Sequence, residues 1–214
     1  MMDNRIAKWI RWLDVIEWNV QSLVLYKHMF WEIQGIISAN PNVQLNSAFH
    51  RYMGDTYVAF AAMGVRRQLK IDSQSISMAR LLCELGNDPK RITLDYYLGL
   101  QPDSRFHPLI KSTFRQYCEG NQNHISSKKV QRDLLRLKSI SRDVEDFADR
   151  RIAHSDSREP KRSPQFSDLN ESIDKLNKLY SKYYLLLTGN SISSLMPTFQ
   201  YDWKAIFKVP WIKV

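Results

Sequence analysis

Glycine is scarce in this chain, with seven in 214 residues. A turn-rich sandwich or barrel needs more, so the scarcity steers the reading towards long helices. Cysteine is scarcer still. Cys83 and Cys118 are the only two and form no Cys-x-x-Cys pair, which excludes a disulfide framework and points to a reduced, cytoplasmic setting. No window approaches ~18 uninterrupted apolar residues, so no membrane span is expected. The opening "MMDNRIAKWIRWLD" threads charges through its apolar residues and lacks the apolar core of a signal peptide. Also missing are a Walker-type loop, a Gly-x-Ser-x-Gly elbow and a dinucleotide fingerprint, which excludes conventional hydrolases and nucleotide-driven engines. His28, His50, His107 and His124 show no i,i+4 pair and no His-Glu spacing suited to zinc, so neither a metal nor another cofactor is expected.

What is abundant is positive charge. Lys and Arg number 31 against 22 Asp and Glu, a formal net charge of +9. Such a surplus serves either a solvated basic surface or a polyanionic partner attracted through its phosphates. Aromatic residues make up 12% of the chain, and most fall at helical core spacing rather than in exposed stacking positions.

The apolar positions 6, 9, 10, 13, 16, 20, 24 and 25 advance in threes and fours, which predicts a long amphipathic helix from 4 to about 37. "SANPNVQLN" breaks it. The segment from 47 to 70 is apolar on nearly every side around 57 to 65, so that helix should be central. A shorter helix follows in "DSQSISMARLLCEL", with Asp72, Ser73 or Ser75 as its cap. Pro89, Gly99, Pro102 and Pro108 predict short turns over 87 to 108, before a short helix at about 109 to 118. A second long helix is expected from Ser126 to Ala153. A third, capped by Ser167 or Asp168, should run to Thr188 and stop at Gly189-Asn190. The fold class is therefore all-α: a bundle of long antiparallel helices over 1–190, with an aromatic tail over 191–214 packed on it as part of one domain.

The second long helix ends in "DVEDFADRRIAHSDSREP", residues 143 to 160. On an α-helical wheel Leu137, Val144 and Arg151 nearly align, with Ala148 beside them. Arg151 is thus expected to continue the apolar stripe inward, next to His154, where a charge is costly without an anion or carboxylate. Arg150 and Arg142 lie well round the wheel.

"DRRIAHSD" resembles the signature of the HEPN superfamily, small helical bundles of which many members cleave RNA. Two further stretches, "GDTYVAFAAMGVRRQLKIDSQSISMARLL" at 54–82 and "FQYDWKAIFKVPW" near the end, resemble its abortive-infection U-type branch. The resemblance implies a metal-independent endoribonuclease acting in phage defence or as a toxin, with RNA as substrate. It further implies a homodimer across which two motifs meet, and an antitoxin or other protein partner. A histidine assists a ribose 2′-hydroxyl in attacking its own phosphodiester, and an arginine steadies the charge that builds on phosphate. Carried over by position, His154 matches the family histidine and Asp149 the polar residue after its arginine. Ala148 occupies the arginine's own place, and Arg150 stands one residue too close to His154. Arg151 is the displaced substitute, and Arg150, Arg66 and Arg67 are the candidate RNA-binding residues.

Each residue also has a plainer reading. His154 can satisfy the last carbonyls of its helix. Arg150 can be solvated, and Arg151 can pair with Asp156, Asp149 or a carboxylate of a neighbour. Asp156 either orients His154 or opens the next turn, while Arg66 and Arg67 either end their helix in solvent or enter an ion pair. The functional alternatives are an RNA-directed nuclease or degenerate relative, and a non-catalytic module that binds RNA or protein.

Overall fold

A computed structural model describes residues 3–44, 47–101, 103–154 and 156–211. Leu45 and Asn46 of the expected first loop, the breaker Pro102 and the last three tail residues lie outside them. The described chain is all-α, a bundle of packed helices, and its only β pairing is a single bridge between Thr93 and His124.

Helix α1 (Asn4–Ala39) starts where the Asp3 carboxylate accepts the Arg5 N–H at 2.7 Å. Its inward stripe of Ile6, Trp9, Leu13, Ile16, Val20 and Leu23 is almost fully buried. Helix α2 (Ala48–Leu69) is capped by Ser47 and buries Ala61, Ala62 and Val65 against it. Gly64 lets the two helices close up, because a Cβ there would stand 2.6 Å from Leu23 Cδ2. The expected centrality of α2 holds in part: it packs on α1, α3, α6 and α7, yet leaves Phe49, Tyr52 and Phe60 exposed along one edge.

Helix α3 (Met78–Asn87) begins later than expected. Its cap is Ser77, whose hydroxyl accepts the Arg80 N–H at 3.0 Å. Asp72 instead closes a local turn onto Gln74 N–H and Ser75. Short helices α4 (Leu94–Gly99) and α5 (His107–Arg115) fill the proline-marked surface stretch. Helix α6 (Ser127–Phe147) begins close to its expected start, capped by Ser126, and runs on into a π-helical turn, Ala148–Ala153.

Helix α7 (Phe166–Thr188) starts two residues ahead of its expected caps, with Asp168 reaching back to the Gln165 N–H at 2.7 Å. It ends at Gly189, whose φ of 74° suits glycine.

Several buried polar groups find partners across helices, while Gln68 Nε2 and the hydroxyls of Ser141 and Ser181 have none among the described residues. Trp9 Nε1 donates to Glu84 at 2.8 Å, Tyr180 to Glu17 at 2.9 Å, Tyr183 to Asp133 at 2.9 Å, and the Met78 N–H to Gln68 at 3.0 Å. In the tail, Leu195 is buried and its N–H binds Asn177, and Lys204 pairs with Glu32 on α1. Tyr201, Ile206, Val209 and Trp211 are exposed. No described helix is long and apolar enough to cross a membrane.

Candidate functional site

The site suggested by "DRRIAHSD" sits where α6 passes into its π turn, against the C-terminal end of α2. A π turn bonds i to i+5 and so holds about one residue more than an α turn. That change of pitch overturns the placement of Arg151. On a continued α-helix Arg151 would follow Leu137 and Val144 inward. In the widened turn the inward seat passes to Ile152, which packs against the core, and Arg151 rotates out to the surface. Its guanidinium pairs with Glu159 in the following loop, which also raises its pKa by hydrogen bonding. Among the described residues there is therefore no inward-facing pairing of the Arg151 guanidinium with His154.

Ala148, at the place of the motif arginine, is fully buried, continuing the stripe of Leu137, Ser141 and Val144. Its neighbour Asp149 projects towards α2 and binds Arg66, with Lys70 at 3.9 Å. Two of the matched blocks thus meet through Asp149, which pairs with Arg66 and, at longer range, with Lys70. Arg67 turns to α1, where its guanidinium donates to Asn19 Oδ1 at 3.0 Å. Arg150 is not solvated. It holds Asp146 one turn back at 2.6 Å, and Asp146 also accepts the Lys161 N–H at 2.9 Å, which lowers its pKa.

His154 is exposed in extended backbone just past the π turn and has no hydrogen bond among the described residues. It does not satisfy the helix-end carbonyls. One of them, Arg150 C=O, accepts the Asp156 N–H at 3.1 Å instead. The Asp156 carboxylate opens the next turn by binding the Arg158 backbone at 2.9 Å and side chain at 2.7 Å, which pulls its pKa well down. It does not reach the imidazole. Glu145, half-buried nearby, has its pKa raised by burial and by Asp149, against the pull of Lys70.

The structure thus brings Asp149 to Arg66, and sends Arg150, Arg151, Arg67 and His154 in separate directions. Asp55, the other candidate partner for these arginines, is exposed and makes no ion pair with them. Sequence reasoning missed the roles of Asp146 and Glu159. The i,i+4 spacing of Asp146 and Arg150 was a readable signal. Glu159 was not readable, since a loop delivers it.

No family model, curated protein or solved structure matches the chain.

Among the described residues no cluster of three or more His, Cys, Asp or Glu side chains could hold a metal ion. Two strongly apolar clefts lie away from the motif, along α1 and α2. One is lined by Met29, Phe30, Ile33, Met53, Tyr57 and Phe60, with Phe30 stacked on Tyr57 at 4.1 Å. Chemically, the motif end is a net of satisfied ion pairs beside one free imidazole.

Proposed function

We propose that this chain is an RNA-directed helical protein, a degenerate HEPN-like relative that binds RNA and does not cut it. The observation that carries the reading is Ala148: the position at which the family motif supplies its arginine is sealed in the core as a methyl group. Cleavage through a 2′-hydroxyl builds charge on the phosphate, and a guanidinium free to meet that charge supplies most of the stabilisation. Here Arg150 and Arg151 are each held by a carboxylate, and Asp149 is held by Arg66. His154 keeps the exposure a general base needs, but it stands without a partner to bind the reacting phosphate. Binding asks only for cations, and the chain has a surplus of nine.

The nuclease reading keeps one observation in its favour, the free imidazole of His154. In a homodimer of the kind the resemblance implies, two copies of His154 would meet, each still bringing Ala148 at the place of the motif arginine. The implied setting, phage defence or a toxin held by an antitoxin, accompanies either version.

Incubating the purified protein with labelled RNA in chelator separates the two. Binding that weakens steeply from 50 to 200 mM salt, with intact RNA, is the expected result. Cleavage leaving 2′,3′-cyclic phosphate ends and lost in His154→Ala would establish the nuclease instead. Salt-independent behaviour with no RNA bound would remove both and leave a protein-interaction role.

A further inference from the structure

The net positive charge needs an address, and the motif end is not it. Helices α6 and α7 pack side by side, and both present cations towards their shared surface groove. Lys175, Lys178 and Lys182 advance along α7 by three and four, on one face. Asp133 and Arg136 stand on the facing side of α6. Among the described residues Asp133 is the one carboxylate paired with these cations, and it is already engaged: Lys182 Nζ lies 2.5 Å away and Tyr183 donates its hydroxyl at 2.9 Å. The Lys182 ammonium also lies over the rings of Tyr117 and Tyr183, at 5.7 and 5.4 Å. Among the described residues no carboxylate comes within ion-pair distance of Arg136, Lys175 or Lys178.

These groups crowd one another. Lys175 is half-buried, and its pKa is lowered first by that burial and then by the charges of Arg136, Lys182 and Lys178, with Asp133 pulling the other way. Like charges kept this close without a counter-charge destabilise the fold, and an arriving anion relieves them.

We propose that the groove between α6 and α7, lined by Arg136, Lys175, Lys178 and Lys182, holds the phosphate backbone of a nucleic-acid strand without regard to sequence. That the strand is RNA rests on the reading above. The row from Lys175 to Lys182 spans ~10 Å of helix, room for roughly two or three phosphates. Lysine supplies a mobile point charge rather than a shaped fork, which suits backbone phosphates. It is also the residue that protein–protein interface cores avoid. A membrane surface would want apolar side chains beside the cations. Only Leu135 is exposed there, and the exposed aromatics Trp18, Tyr52 and Trp211 belong to α1, α2 and the tail.

The test is fluorescence anisotropy with a labelled 20-nucleotide oligouridine, across 50–200 mM salt. The R136Q/K175Q/K178Q variant should bind at least tenfold more weakly, and its salt slope should fall by about 2, at about 0.7 for each phosphate no longer neutralised. A charge-matched control, R11Q/K90Q/K111Q, alters three exposed cations elsewhere and should stay within about threefold of the parent. Matching thermal melts establish that all three proteins are folded, and the single exposed change K178E should by itself weaken binding several-fold. If the groove variant binds like the parent, or the control weakens as much, this site is overturned while the RNA reading stands. If the unaltered protein ignores oligouridine, or prefers vesicles rich in phosphatidylserine, the site and the RNA reading fall together.

Discussion

The C-terminal end and the middle of α6 handle arginine and lysine in opposite ways. Towards the C-terminal end and the π turn, each candidate arginine on that element meets a carboxylate: Arg150 with Asp146 and Arg151 with Glu159. Arg66 reaches over from α2 to Asp149. Nearer the middle of the helix, Arg136 faces Lys175 and Lys178 of α7 with one carboxylate nearby, already spent on Lys182 and Tyr183. The first arrangement is self-sufficient and fixes the helix end to its neighbours. The second is incomplete by one or more negative charges. A short motif drew attention to the first, whereas the electrostatics favour the second as the place where an outside anion is held.

The largest expected effect tests the sealed end. Ala148→Arg would restore the residue that the family motif calls for, but it would place a guanidinium in a fully buried seat. It should lower stability by about 3 kcal/mol or more and confer no RNA cleavage, read by urea unfolding and a chelator-treated cleavage assay. A stable, cleaving Ala148→Arg protein would reverse the contrast between the two regions.

Asp133→Asn comes next. It removes the one carboxylate of the groove, whose side chain is 13% exposed, and leaves Lys182 facing like charges. Stability should drop by about 1–3 kcal/mol, and partial recovery in high salt is expected because repulsion is screened. Affinity for oligouridine should rise at the same time. Weaker binding would mean that Asp133 shapes the groove rather than neutralising it.

A double-mutant cycle of Arg66→Ala and Asp149→Ala measures the pair joining α2 to the π turn. Both side chains are partly exposed, so a coupling of about 1 kcal/mol is expected. A coupling near zero would detach the motif end from α2 energetically.

The smallest effect concerns Glu145. Burial raises its folded pKa above that of the unfolded chain, so the ionised form destabilises the fold. Because the folded state binds the proton more tightly, stability falls as pH rises between the unfolded and folded values, and the full penalty applies above the latter. Glu145→Gln should therefore add under about 1 kcal/mol at neutral pH, discounted for screening of a half-exposed group. The gain should vanish below the unfolded pKa. A gain that persists in acid would place its origin in packing.

Much of the bundle was legible because helical periodicity is a direct image of burial. The stripes on α1 and α6, the start of α6 near Ser126 and the Gly189 stop follow from residue spacing and backbone preference alone. The starts of α3 and α7 were missed because several Ser, Asp and Gln residues compete for each cap, and long-range packing chooses among them. At the candidate site, the inward placement of Arg151 failed for one local reason. A wheel drawn at α-helical pitch cannot register a π turn, and a single added residue exchanged the seats of Arg151 and Ile152. The cationic row at 175, 178 and 182 was visible as spacing. That it lies against Arg136, with Asp133 already taken, required the packing of two helices well separated in sequence.

The most direct measurement is a lysine acylation footprint read by mass spectrometry, with and without saturating oligouridine. The account predicts protection of Lys175, Lys178 and Lys182, with Lys70 and Lys161 beside the π turn reacting as before. Protection of Lys70 and Lys161 with the α7 lysines still reactive would contradict it, and would return the ligand to the motif.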